Sequence, residues 1–151
     1  MKMKLRVYLD TSVISAYFDD RAPDRMAETR TFWLRLSEFE VSTSALVREE
    51  IERTLDPGRR EQMLRLIDDT LQADVTPEAH DLAREYIHRG LFTPPMYGDA
   101  LHLAVSVLTR QDVLISWNFK HLVNRRKRAE VIQANIVLEL PTIEILSPPE
   151  L

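Results

Sequence analysis

The chain has 151 residues, 44% hydrophobic and 29% charged, and 20 Lys and Arg against 24 Asp and Glu give a formal net charge of -4. That length suits one domain with a real core, residues 1–151 read as a single unit, and no run approaches the ~20 apolar residues of a membrane span. The absence of cysteine excludes disulfides, thiolate zinc sites and cysteine nucleophiles together, and the acidic balance excludes a global attraction to nucleic acid, so any such binding needs a local basic face.

The opening Met1-Lys2-Met3-Lys4 is basic, but the apolar run behind it ends at Asp10, too soon for a signal peptide, and a cytoplasmic location is expected. Leu5 to Leu9 has apolar residues on both parities, as a strand covered on both faces requires. Thr11 and Ser12 offer hydroxyl caps for a segment over Val13 to Phe18. Asp24 followed by Met26, Phe32, Trp33, Leu34 and Leu36 reads as a capped amphipathic helix. Phe39 to Thr43 predicts a second strand, and Ser44 starts a helix through Leu46, Val47, Glu50 and Ile51 that stops near Leu55, ahead of the turn signal Asp56-Pro57-Gly58.

Arg59 to Leu71 carries apolar residues at helical spacing, and Ala73 to Thr76 is the expected third strand. Pro77 fits a first helical position, with that helix running to about His88 and ending at Gly90. Leu91 to Gly98 contains Pro94 and Pro95 and reads as a loop leading to a helix that begins at Asp99. Val113 to Trp117 is the clearest late strand, and Thr142 to Leu146 an edge strand before a tail kept irregular by Pro148 and Pro149. The alternation predicts an α/β fold, a mainly parallel central sheet with helices on both faces in a three-layer α/β/α sandwich.

Such sheets bind ligands beyond the carboxyl ends of their strands, where strand order reverses. Asp10 in V-Y-L-D-T-S ends the first strand and Asn118 in V-L-I-S-W-N follows the late one. Asp99 in Y-G-D-A-L-H-L-A opens a helix, and Glu50 in S-A-L-V-R-E-E-I lies inside one. Brought together, these acids are too negative to coexist ionised without a cation. Hard cations such as Mg²⁺ or Mn²⁺ take oxygen ligands from one or two carboxylates and keep several waters. Asp10 and Asp99 are the expected direct ligands. Glu50 is a second ligand or orients the attacking water, and Asn118 binds through its carbonyl or a metal-bound water.

These four motifs, in this order and across nearly the whole chain, resemble the PIN domain family and its VapC-type toxin ribonucleases. That family's pattern has an Asp ending the first strand, a Glu in an S-x-x-x-x-x-E helix, here Ser44 to Glu50, an Asp opening a later helix, and a fourth acid after the next strand. Asn118 departs from it, and S-W-N-F-K-H resembles a subgroup in which that substitution is usual. The resemblance implies a metal-dependent ribonuclease with RNA as substrate, a homodimer, and a small antitoxin partner that inserts a side chain into the site.

Each residue also has an ordinary structural use. Asp10 suits a strand-end turn and Asp99 a helix cap. Glu49 competes with Glu50, which the spacing from Ser44 prefers. His102, one turn after Asp99, either touches substrate or orients a ligand, or is a satisfied structural histidine. Thr11, Ser12 and Ser116 either hold metal-bound waters or cap and turn the chain. Arg125-Arg126-Lys127-Arg128, with Lys120 and His121 upstream, either contacts phosphates or forms a solvated helix start. Phe32, Trp33 and Trp117 read as packing residues. A nucleic-acid-binding or scaffold module with little catalysis, which Asn118 keeps open, and a phosphoryl-transfer or receiver-like domain are the alternatives. The second lacks a neighbouring Asp beside Asp10 and a well-placed Lys other than Lys120.

Overall fold

Parallel pairing throughout the sheet follows from the way helices separate successive strands. A computed structural model describes residues 3–151, so Met1 and Lys2 of the basic opening lie outside the described residues. Strand β1 (Leu5–Leu9) is exposed at its first two residues and buried at Val7, Tyr8 and Leu9. It pairs with β2 (Phe39–Ser44), Val7 facing Val41, and with β4 (Val113–Ile115), Leu9 facing Ile115. β3 (Leu71–Ala73) extends the sheet beyond β2 and β5 (Glu144–Leu146) beyond β4, giving the order β3-β2-β1-β4-β5. The chain moves outward from β1 to β3 and then returns to the other side of β1, so the order reverses between β1 and β4. The crevice at that reversal is where α/β sheets place ligands.

Among the described residues, seven α-helices surround the sheet: α1 (Thr11–Phe18), α2 (Pro23–Trp33), α3 (Ala45–Glu52), α4 (Pro57–Leu66), α5 (Pro77–His88), α6 (Tyr97–Leu108) and α7 (Arg125–Val137). α1 packs on α2, α3 and α4, while α5 packs on α6 and is tied to α7 by a 2.6 Å hydrogen bond from the Tyr86 hydroxyl to Asn135 Oδ1. The result is the expected α/β/α arrangement around a core that includes Val7, Leu9, Ile14, Phe32, Ile51, Leu103, Leu114 and Ile115. No helix among the described residues is long and apolar enough to cross a membrane.

Several boundaries differ from the sequence reading, each for a local reason. Asp10 itself caps α1, accepting from the Ser12 amide, so the helix begins at Thr11. α2 opens on Pro23, whose fixed φ suits a first helical position, with Ala22 before it and no side-chain cap from Asp24. α4 stops at Leu66 because the Thr70 hydroxyl donates to the Ile67 carbonyl at 2.7 Å, closing a turn that delivers Leu71 into β3. Thr76, read as strand, caps α5 through the Ala79 amide. A 3-10 turn over Pro94–Met96 leads directly into α6, so Asp99 lies in its first turn rather than at its start.

Gly90 ends α5 at φ +85, where the Leu91 amide donates back to the Tyr86 carbonyl at 3.0 Å. A Cβ there would meet nothing within 4 Å, so only the left-handed backbone opposes a side chain. Gly90→Ala is therefore expected to cost about 1 kcal/mol, a fall in melting temperature of roughly 2–4 °C for a domain of this size. An unchanged melting curve would show that this turn relaxes without strain.

Candidate active site

Asp10 leaves β1 at the reversal point, its amide still held by the Ile115 carbonyl at 3.2 Å. Its Oδ1 accepts from the Ser12 amide at 3.0 Å and the Ser12 hydroxyl at 2.5 Å. The same hydroxyl accepts from the Trp117 amide at 2.8 Å, so Ser12 joins the ends of β1 and β4. Ser116 lies 3.4 Å from Ser12, hydroxyl to hydroxyl, and accepts from the Asn118 amide at 2.9 Å. Both hydroxyls are thus engaged by the protein.

Glu50 reaches the crevice from the last turns of α3, while Glu49 is exposed. Oε1 accepts from the Thr11 hydroxyl at 2.7 Å and from His102 Nε2 at 2.5 Å. A carboxylate only accepts, so Nε2 carries a proton, and Nδ1 lies 2.8 Å from the Tyr8 hydroxyl. Tyr8 in turn lies 2.7 Å from the Ser44 hydroxyl. The Ser44 hydroxyl, committed to Tyr8, makes no cap to α3. The six-residue spacing from Ser44 to Glu50 thereby becomes a closed chain, Ser44 to Tyr8 to His102 to Glu50, buried except at the carboxylate.

Asp99 projects from the first turn of α6, where the helix dipole favours a negative charge. Its Oδ2 accepts from Asn118 Nδ2 at 3.2 Å and pairs with His121 Nδ1 at 2.9 Å. The His121 amide donates to Asn118 Oδ1 at 3.0 Å, so the Asn118 side chain offers Asp99 its amide nitrogen while its carbonyl oxygen holds the following turn.

The electrostatics separate the acids. Burial pushes the Asp10 carboxyl above its ordinary value; His102, Ser116 and Ser12 oppose this, and the negative charge of Asp99 adds to it. Burial acts the same way on Glu50, but His102, Thr11 and Arg53 together outweigh it and hold that carboxyl below its usual range. Buried Tyr8 is raised far above an ordinary phenol by desolvation and stays neutral.

Among the described residues, no three acids or histidines stand close enough to form a ready-made metal cluster. The donors nonetheless fit a Mg²⁺-type ion, which is held through few carboxylates and several waters. The hydrogen bonds fall on Oδ1 of Asp10, Oε1 of Glu50 and Oδ2 of Asp99, leaving the second oxygen of each outside this network. A side chain at Gly98 would begin 3.5 Å from Glu50 Oε2, in ordinary contact with that oxygen.

Tyr8 and His121 escaped sequence reasoning as site residues. Tyr8 looked like strand core, and His121 was grouped with the basic run, although its three-residue spacing from Asn118 was the available signal. The basic run itself is largely engaged in structure. Arg126 pairs with Glu130, Arg128 with Glu150, and Lys127 donates to the Leu91 carbonyl, its pKa lowered by burial. Phe32 and Trp117 are buried, and Trp117 Nε1 donates to the Thr29 hydroxyl at 2.8 Å.

The model of the PIN domain matches residues 7–121, an interval that runs from β1 through His121 and contains every residue of this network. The chain belongs to the PIN domain family. Among solved structures, this PIN domain is similar to VapBC2 from Rickettsia felis, crystallised with a DNA fragment from the promoter, at 11% identity and a TM-score of 0.57, covering 93% of this chain and 97% of that one. It is also similar to VapC20 from Mycobacterium tuberculosis, described as a sarcin-ricin loop cleaving toxin, at 19% identity and a TM-score of 0.60, covering 76% and 92%. At these identities the likeness is one of fold. No curated protein matches the chain.

Proposed function

We propose that this PIN domain is a Mg²⁺- or Mn²⁺-dependent endoribonuclease, the toxin of a toxin–antitoxin pair, working as a homodimer in the cytoplasm. The observation that carries the reading is the convergence of Asp10, Glu50 and Asp99, from three separate segments, on the sheet's reversal point, each with one oxygen oriented by the protein and one left over. The kinship of fold with VapBC2 and VapC20 supports RNA as the substrate class and an antitoxin as partner.

Bound there, a divalent ion would lower the pKa of a water for attack and offset charge building on the phosphodiester. Asp10 and Asp99 are the ligands in this reading. Glu50, ionised and fixed by Thr11 and His102, accepts a proton from, or aims, the attacking water. Asn118 and His121 keep Asp99 in place, and the remaining lone pair of the Asn118 carbonyl can hold a water. Thr11, Ser12, Ser116 and His102 support the acids through hydrogen bonds at the crevice.

Purified protein incubated with end-labelled RNAs in Mg²⁺, Mn²⁺ or EDTA tests the reading directly. Cleavage with either metal and none in EDTA is expected. RNA binding without cleavage under every condition would leave a nucleic-acid-binding module in its place. His102→Ala should lower the cleavage rate by about 10- to 100-fold, a penalty of the size seen when a residue that orients a metal-site group is lost. His102→Gln, which can still donate to Glu50, should recover part of it. Equal rates in all three proteins would mean that Glu50 needs no positioning.

A further inference from the structure

Beside the acids lies a groove of about 570 Å³ whose lining includes Ser12, Arg25, Trp117, Asn118, Phe119 and Lys120. Phe119 is 44% exposed although it directly follows Asn118. The turn that carries it is held by the backbone. The Phe119 amide donates to the Trp117 carbonyl at 2.9 Å, the Leu122 and Val123 amides donate to the Asn118 carbonyl at 3.0 and 2.9 Å, and the Asn124 side chain holds the Phe119 carbonyl at 2.9 Å. Buried Leu122 and Val123 anchor the turn from beneath.

The Phe119 ring meets Trp117 edge-on, centroids 5.9 Å apart, and the Arg25 guanidinium lies 5.3 Å from the Phe119 centroid and 5.5 Å from that of Trp117. Neither Arg25 nor Lys120 forms an ion pair among the described residues, whereas Asp19, the acid on this groove's rim, is occupied by Arg21. A rigid exposed ring, a planar cation layered on it and an unpaired ammonium together suit one chemical object, a nucleotide with its base stacked and its phosphate paired. Asn118 belongs both to this groove and to the acid network, so that nucleotide would adjoin the bond at the acids.

We propose that the Arg25–Phe119 platform is a stacking subsite for one base of single-stranded RNA next to the scissile phosphate, with Lys120 pairing a flanking phosphate. The subsite rests on the ribonuclease reading for its position relative to a bond being cut, but not for its ability to bind. It predicts that the enzyme engages unpaired RNA, because a paired base has no face to offer the platform.

The test uses short single-stranded oligoribonucleotides carrying 2-aminopurine at successive positions, mixed with the Asp99→Asn protein so that binding is read without cleavage. Stacking should change the fluorescence at one position only. Phe119→Ala in that background should remove the change and weaken binding roughly 5- to 150-fold, as losing one stacked base does, and Phe119→Trp should restore both. Arg25→Lys, which keeps the charge but loses the plane, should weaken binding more than a charge-only role allows. A fluorescence change that survives Phe119→Ala, or none at any position, overturns the subsite, even if the Asp99-containing protein cleaves RNA with Mg²⁺. A Phe119-dependent change in a protein that never cleaves RNA upholds it as a binding site and removes the nuclease reading alone.

Discussion

Asp99→Asn is expected to reduce metal-dependent RNA cleavage by more than about 100-fold while the fold persists, because losing even a residue that merely orients a ligand commonly costs 10- to 100-fold. The substitution keeps the shape and an oxygen for His121 but removes the charge that a hard cation requires. Stability should change little. The Asp99 side chain is 23% exposed, and what is lost structurally is the attraction of a carboxylate to the first turn of α6, about 0.3–1 kcal/mol. Activity measured alongside a melting curve separates the two effects. Cleavage within a few-fold of the parent protein would remove Asp99 from the metal site and with it the assignment built on the reversal point.

Mg²⁺ should stabilise the parent protein and fail to stabilise Asp10→Asn. An ion that binds only the folded state contributes about 2.7 kcal/mol at one hundred times its dissociation constant, a rise of roughly 5–10 °C for about 150 residues. The metal-free comparison is more specific. Asp10 has a folded-state pKa raised by burial above its ordinary value of 3.8, so the folded protein holds that proton more tightly than the unfolded chain. Its contribution is most favourable below the unfolded value and is lost as pH rises through the folded one. Glu50, shifted downward, works in the opposite sense, losing its contribution only as pH falls through its depressed pKa. In EDTA, therefore, Asp10→Asn should gain on the parent protein as pH rises from about 4 toward neutrality.

Asparagine caps a helix about as well as aspartate, so the variant keeps the hydrogen bond from the Ser12 amide, whereas Asp10→Ala should also lose about 1 kcal/mol of capping. Melting temperatures of the three proteins across pH, with and without Mg²⁺, decide the matter. A metal-free parent protein that stays ahead of Asp10→Asn at neutral pH would show that the buried carboxylate is already neutralised by its neighbours.

Local physics explains how much was readable beforehand. Asp10 ends a run of apolar residues, Asn118 follows another, and Asp99 sits near the start of a strongly periodic segment, so each was expected near the strands' carboxyl ends, whereas the strand order itself was not legible. The boundaries of α4 and β3 could not, because the break between them depends on a hydroxyl, Thr70, turning back on Ile67, and nothing in the spacing of Met63, Leu64 and Ile67 announces it. Asp10 as a cap was equally hidden, since Thr11 and Ser12 are themselves good caps and only the direction of the chain leaving β1 selects among the three.

The sequence by itself determined the α/β alternation and the mainly parallel sheet, because hydrophobic periodicity and turn chemistry act over a few residues. Only the tertiary structure decided what the acids do to one another. Residues 8, 44, 50 and 102 form one hydrogen-bonded chain because β1, β2, α3 and α6 happen to meet, and Asn118 presents its nitrogen rather than its oxygen to Asp99 because the His121 amide has claimed the oxygen. That Arg25 lies 5.3 Å from the Phe119 centroid likewise joins residues nearly a hundred positions apart in the chain. Such partnerships are set by packing, which no local pattern encodes.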